Sequence, residues 1–180
     1  YMKNLGWDSI DVLLISGDTY LDTSYNGSAL IGKWLVEHGF KVGIIAQPEV
    51  DVPDDITRLG EPNLFFAVSG GCVDSMVANY TATKKRRQQD DFTPGGVNNK
   101  RPDRAVLVYS NMIRRFFKGT TKKIVISGIE SSLRRITHYD YWTNKLRKPI
   151  LFDAKADILS YGMGEMSMLQ LANALKNGED

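Results

Sequence analysis

Most of the side chains able to bind or transform a ligand follow short glycine turns. Asp18 follows Gly17, Ser69 precedes Gly70 and Gly71, and Glu130 follows Gly128 with Arg134 and Arg135 close behind. Glu165 follows Gly162 and Gly164. Glycine there lets backbone amides approach a ligand closely, and a helix starting at such a turn favours an anionic group. Each glycine taken singly reads first as a plain tight turn, and it is four such turns on one edge that point to a binding cleft. Arg134 and Arg135 can hold a carboxylate or phosphate bidentately, or one of them can pair with Asp140 or Asp157. His138, Tyr139, Asp140, Tyr141 and Trp142 read as a stacking and acid–base platform without a nucleophile, or as aromatic packing. Cys72, at the start of a helix, is either a thiol of lowered pKa or a small buried hydrophobe. Lys84 to Arg87 is a candidate phosphate patch or, by the usual behaviour of charged loop runs, solvated surface.

The turns have something in common upstream. Val12 to Ile15, Leu64 to Val68, Ile124 to Ile126 and Ile158 to Tyr161 are short apolar runs, and each leads into one of them. Unbroken β-branched runs suit strands of a parallel sheet buried on both faces. In such a sheet the turns after the strands lie along one edge, where ligands bind at the point of strand-order reversal. Gly17, Gly70, Gly128 and Gly164 are therefore predicted to converge on one concave site, lined also by Glu130 or Arg134.

Between the strands the pattern is helical. Asn26, Gly27 and Ser28 start a helix with Leu30, Ile31, Trp34 and Leu35 on one face, closed at His38 and Gly39. Phe40 to Ile45 is the next strand, and Asp54 to Leu59 holds at most one or two helical turns. A helix follows Asp74 through Met76, Val77 and Tyr80. Ala105 to Phe117 suits a crossover helix, Glu130, Ser131 and Ser132 supply capping groups for a helical turn, Pro149 to Phe152 suggests a short extra strand, and Glu165 to Leu175 closes the domain. Thr81 to Asp103 has no periodicity, which predicts a mobile or functional loop and the segment most open to protease. Gly17-Asp18 is no dinucleotide fingerprint, because G-x-G-x-x-G spacing is missing and Thr19 to Ser24 makes a long polar turn.

The chain has 180 residues, enough for one core, with 23 basic and 21 acidic residues leaving +2. That balance carries no global signature of a nucleic-acid or membrane partner. One cysteine and two histidines far apart exclude an internal disulfide and a cysteine-based metal or iron–sulfur site within these residues. No run approaches the roughly 20 apolar residues that cross a bilayer, and no signal pattern opens the chain, so a cytoplasmic location is expected. The last residues after the final helix fit a natural end or a cut at a domain boundary.

The segments LGWDSIDVLLISGDTYLD, EHGFKVGIIAQP, RLGEPNLFFAVSGGCVDSMVANYTA, KRPDRAVLVY, ISGIESSLRRITHYDYW and KADILSYGMGE, in this order, resemble the N-terminal region of the YgiQ-type radical S-adenosylmethionine (SAM) family. GIESSLRR followed by HYDYW is the most specific part. The resemblance implies that a catalytic domain with a C-x-x-x-C-x-x-C motif follows, bringing a 4Fe-4S cluster and S-adenosylmethionine to the intact protein. With Cys72 alone, this region holds neither, so it looks like an excised N-terminal domain. ADILSYGMGE also resembles, more distantly, the cobalamin-binding domains that precede radical SAM domains. The D-x-H-x-x-G motif of those domains is absent from GDTYLDTSYNG, so no histidine of this turn can ligate cobalt. Cobalamin held without that ligand and a cofactor-free domain shaping a substrate cleft both stay open.

The expected fold is a doubly wound α/β domain: a mainly parallel five-stranded sheet in a three-layer sandwich, flavodoxin-like and cobalamin-binding-domain-like, with a long loop at 81–103. The expected role is an accessory module that binds a substrate or cofactor, its cleft facing the downstream radical SAM domain and carrying no complete catalytic centre or metal site. The alternative is a nucleic-acid module using Lys84 to Arg87, Arg134, Arg135 and the aromatic cluster.

Overall fold

A computed structural model describes residues 2–20 and 26–179; part of the predicted polar turn of residues 19–24 lies outside the described residues. Five parallel strands form the main sheet in the order β2-β1-β3-β4-β7: β1 (Val12–Ser16), β2 (Val42–Ala46), β3 (Phe65–Ser69), β4 (Lys123–Ser127) and β7 (Ile158–Leu159). This is the predicted doubly wound, flavodoxin-like topology, with the order reversing between β1 and β3.

The strands read as unbroken apolar runs because both faces are covered. On one face Leu13, Ile15, Phe66, Val68, Ile124 and Ile126 pack against α4 (Ala105–Phe116), whose Val106, Tyr109 and Ile113 are fully buried, and against Ile56 of α2 (Pro53–Thr57). On the other, Val12, Leu14, Phe65, Ala67 and Val125 meet Leu35 of α1 (Gly27–Glu37) and Met168 and Ala172 of α7 (Glu165–Lys176). Alternate residues serve alternate layers, as the two-residue period of a strand requires.

Helix limits follow local chemistry. The Asn26 side chain accepts from the Ala29 amide to cap α1, and Gly39 takes φ +83° where that helix ends. Asp74 caps α3 (Ser75–Asn79) by accepting from the Met76 and Val77 amides.

Three expectations need correction. Glu130, Ser131 and Ser132 do not cap α5 (Gly128–Leu133); Ser127 is its N-cap, without a side-chain bond, and Glu130 turns inward. Pro149 to Phe152 is not a strand. Pro149 supplies the N-cap of α6 (Ile150–Asp153), where the Ala154 amide bonds back to the Ile150 carbonyl. His138 to Asp140 is a strand, β5, which pairs antiparallel with β6 (Lys145–Arg147) in a hairpin that no alternation in the sequence announces.

The 81–103 loop has a firm half. Residues 82–89 are exposed, but Asp90, Thr93, Asn98 and Arg101 are buried, and a 3-10 turn at Pro94–Gly96 and a bridge between Gln89 and Val97 order the segment between them.

Candidate functional site

Strand register sets the site. Ser16 pairs with Ser69 and Ser69 with Ser127, so three strands end in serine side by side. Gly17, Gly70 and Gly128 follow at the same level, and the chain after β7 joins them through the Gly162 amide, 3.4 Å from Ser132 Oγ. The turns gather at one edge, but neither Gly17 nor Gly70 lines a cavity there.

Two cavities open there. An apolar slot of about 230 Å³ reaches between the sheet and helices α1 and α7, with Leu14, Ala67, Ile31 and Met168 deep in it and Gly128, Gly162, Gly164 and Glu165 near its rim. Beside it lies a polar chamber of about 180 Å³ bounded by Ser16, Asp18, Asn26, Gly71 and Cys72; the two share Gly27, Ser28, Ser69 and Gly128.

Several glycines serve the protein's own packing. A Cβ on Gly17 would run into the Gly70 carbonyl, one on Gly71 into the Asp18 carboxylate, and one on Gly70 into Glu130. Gly71 also has φ +110°. The loops after β1 and β3 meet backbone to backbone at Gly17 and Gly70, and Gly70, Gly71 and Gly128 make room for the side chains of Glu130, Asp18 and Ser69.

Behind these loops lies a charged cluster centred on a residue the sequence reading passed over. Arg101 is fully buried; its Nη2 lies 2.7 Å from Asp18 Oδ1 and 3.2 Å from both Asp90 oxygens, and its Nη1 lies 3.5 Å from the Gly70 carbonyl. Asp18 accepts in turn from the Cys72 amide. Burial pushes the Asp18 carboxyl above its ordinary range, against the opposing pull of Arg101. The Cys72 thiol is pushed up to about 12, first by burial and then by its hydrogen bond to Asp18, so it is not the lowered thiol of the first alternative.

The remaining predicted residues gather elsewhere. Glu130 accepts from the Ser75 amide at 3.1 Å and the Val106 amide at 3.2 Å, which ties α5 to the starts of α3 and α4. Burial, with the Asp74 charge adding to it, raises its pKa. Arg134 pairs with Asp74, neither Asp140 nor Asp157. Asp157 instead takes Arg114, 2.8 Å away. Arg135 donates to the Ser132 carbonyl at 2.7 Å and lies over the Tyr161 ring. Asp140 accepts from Thr143, from Arg104 at 2.7 Å and from Arg147 at 3.0 Å; burial works against its charge, but these donors outweigh it and hold the pKa at about 2. Glu130, Arg134 and His138 border a separate crevice with Arg104 and Arg147. Neither Glu130 nor Arg134 lines the two cavities, contrary to the sequence expectation.

The basic loop and aromatic cluster are likewise engaged within the protein. Lys84 sits 4.5 Å over the Tyr141 ring, Arg86 pairs with Asp103 at 3.7 Å, Arg87 donates to the Val77 and Tyr80 carbonyls, and Trp142 packs on Tyr80. The nucleic-acid alternative finds no support in this arrangement. Among the described residues no group of three His, Cys, Asp or Glu side chains could hold a metal ion, and no helix is long and apolar enough to cross a membrane.

Comparison with known proteins places this geometry. The family described as "Radical SAM N-terminal" matches residues 1–180. A UPF0313 protein from Fusobacterium nucleatum is 99% identical over 179 residues, which make up 99% of this chain and 32% of that protein. A UPF0313 protein from Thermotoga neapolitana is 58% identical over 99% of this chain and 31% of its own length, and one from Methanocaldococcus jannaschii is 52% identical over 99% and 29%. The chain thus spans about a third of these relatives. Among solved structures, the radical SAM methyltransferase TsrM from Kitasatospora setae, with tryptophan and a SAM analogue bound, superposes with a TM-score of 0.59 at 16% identity, over 96% of this chain and 27% of TsrM. TsrM with cobalamin and a [4Fe-4S] cluster bound gives 0.58 at 16% identity, over 96% and 25%. That likeness is one of fold. Full-length agreement with the family and close identity to its UPF0313 members establish that the chain belongs to the radical SAM N-terminal family, as the N-terminal region of a YgiQ-type protein.

Proposed function

We propose that this domain is the ligand-holding module of a radical SAM enzyme, and that the ligand enters the slot between β1, β3 and helices α1 and α7. The observation that carries the reading is the slot itself: an apolar cavity at the strand-order reversal of a doubly wound sheet, where such folds bind ligands. Its volume, about 230 Å³, suits one apolar arm of a larger molecule. The polar chamber beside it is lined by Ser16, Asn26, Ser28 and Ser69, which suit a neutral, hydrogen-bonding portion, while Asp18 is held from behind by Arg101 and the Cys72 amide. Among the described residues no arginine or lysine lines either cavity, which disfavours a phosphate as the main determinant.

Cobalamin, present in one TsrM structure of this fold, fits the slot on these terms. Leu14, Ile31, Ala67 and Met168 would enclose an arm, and Ser28, Ser69 and the backbone at Gly128 would meet polar edges. Neither histidine lines the cavities, so cobalt would take no imidazole from these residues. When bound, the cofactor supplies the radical or group-transfer chemistry of its metal; this chain's residues bind it, orient it and keep water from its apolar side. The second reading, a cofactor-free substrate cleft, rests on the same cavities. Cobalt analysis of the intact protein reconstituted without oxygen tests the first: stoichiometric cobalt supports it, and none rejects it in favour of the second.

A further inference from the structure

We infer that the outer face of α5 and the loop between β7 and α7 form the seat of the part of the protein that follows residue 180, so that the mouth of the cleft closes at that interface. Ile129 and Leu133 stand four residues apart on α5, on the face opposite the buried Glu130 and Ser131. Leu133 is 58% exposed. Across from them Tyr161, Met163 and Met166 are 65%, 83% and 60% exposed. The two segments adjoin: the Gly162 amide meets Ser132 Oγ, and Arg135 covers Tyr161. Other large apolar side chains are exposed elsewhere, among them Leu146 and Phe152, but this group is set apart by bordering both cavities, and adaptable methionines suit an interaction surface.

Position and chain length select the occupant. Met163 lines the apolar slot and Ile129 the polar chamber, so whatever covers the patch also closes over the ligand. The relatives continue for about two thirds of their length beyond the region matched or around it, and the matching family is by description N-terminal. A reacting domain in the same chain has to reach the cleft, and this rim is the apolar surface through which it can do so. The inference rests on the proposed function for the purpose of the closure; the surface itself stands on its exposure.

Hydroxyl-radical footprinting of the full-length protein, resolved by peptide mass spectrometry, tests it on native side chains. A methionine peptide in the same sample serves as the reference. If the patch is covered, Met163 and Met166 oxidise about fivefold or more slowly than the reference, as in a water-excluding interface core, and tenfold dilution leaves the protection unchanged. In full-length Leu133→Asp, oxidation at Met163 rises. Oxidation of Met163 within about twofold of the reference, as for an open surface side chain, overturns the inference. Protection lost on dilution overturns it too, because it identifies a second copy as the cover. Protected methionines in a protein that takes up no cobalt would reject cobalamin while leaving this surface in place; cobalt uptake with unprotected methionines would do the reverse.

Discussion

Arg101 and Asp18 form an ion pair at 2.7 Å with both side chains shut off from solvent, and it joins the 81–103 loop to the turn after β1. Removing one member of such a pair leaves the others buried and uncompensated, which costs about 3–5 kcal/mol. Arg101→Met is therefore expected to destabilise the domain by that order in urea unfolding, while Arg86→Met, whose partner Asp103 is half exposed, changes it by less than about 1 kcal/mol. Equal effects of the two substitutions would remove Arg101 from its central place.

The glycine contacts give a second test. Gly17→Ala sets a methyl group against the Gly70 carbonyl, and Gly71→Ala sets one against Asp18 at a positive φ. Each is expected to lower stability by about 1–3 kcal/mol, as overpacking does. Gly27→Ala meets nothing within 4 Å and is expected to be neutral or mildly stabilising; urea unfolding of all three variants checks this.

Those two relationships show which parts of the molecule could be read from sequence. The strands were legible because Val12 to Ile15 and Ile124 to Ile126 are apolar on both faces, and only a covered parallel strand wants that. The turns were legible because serine-glycine pairs recur after them. Arg101 was not, since in NNKRPDR it looks like any solvated loop charge; its burial depends on Asp18 and Asp90, which lie 83 and 11 positions away in the chain. Arg134 misled for the same reason: a helix could place it at the cleft, but Asp74, far off in sequence, draws it to the other side of α5. Pro149 to Phe152 failed locally, because a short apolar run after proline fits the first turn of a helix as well as a strand.

Asp140 should make part of the stability acid-sensitive. Its pKa is held at about 2 against the ordinary 3.8 of a carboxyl, so the folded state keeps its charge where the unfolded chain takes a proton. That contribution is complete above pH 4 and is lost as the pH falls from about 4 towards 2. Asp18 and Glu130, raised by burial, act in the opposite sense: they favour the folded state at low pH and lose that advantage as the pH rises above the carboxyl range. Urea unfolding across pH 2 to 5 is expected to show a weaker fall towards acid in Asp140→Asn than in the unsubstituted protein; parallel curves would contradict the assignment.

Cys72 offers a chemical readout of the polar chamber. With the thiol pushed up to about 12, alkylation by iodoacetamide should still be climbing at pH 10, because the thiolate is the reacting form. Asp18→Asn removes a neighbouring charge that opposes ionisation, so it should speed alkylation at a fixed pH. Peptide-resolved rates that level off near pH 8.5, the value of an ordinary thiol, would contradict the picture.

The slot's role is tested most directly by cobalt retention in the full-length protein and in its Ser28→Trp variant, both reconstituted with hydroxocobalamin without oxygen and freed of excess. Ser28 borders both cavities from the first turn of α1, so an indole there fills the entrance and leaves the sheet untouched. The expected result is about one cobalt per chain in the unsubstituted protein, as for a single built pocket, and a tenfold or greater loss in the variant at an unchanged melting temperature. No retained cobalt in the unsubstituted protein, or equal retention in both, would contradict cobalamin binding in this cleft.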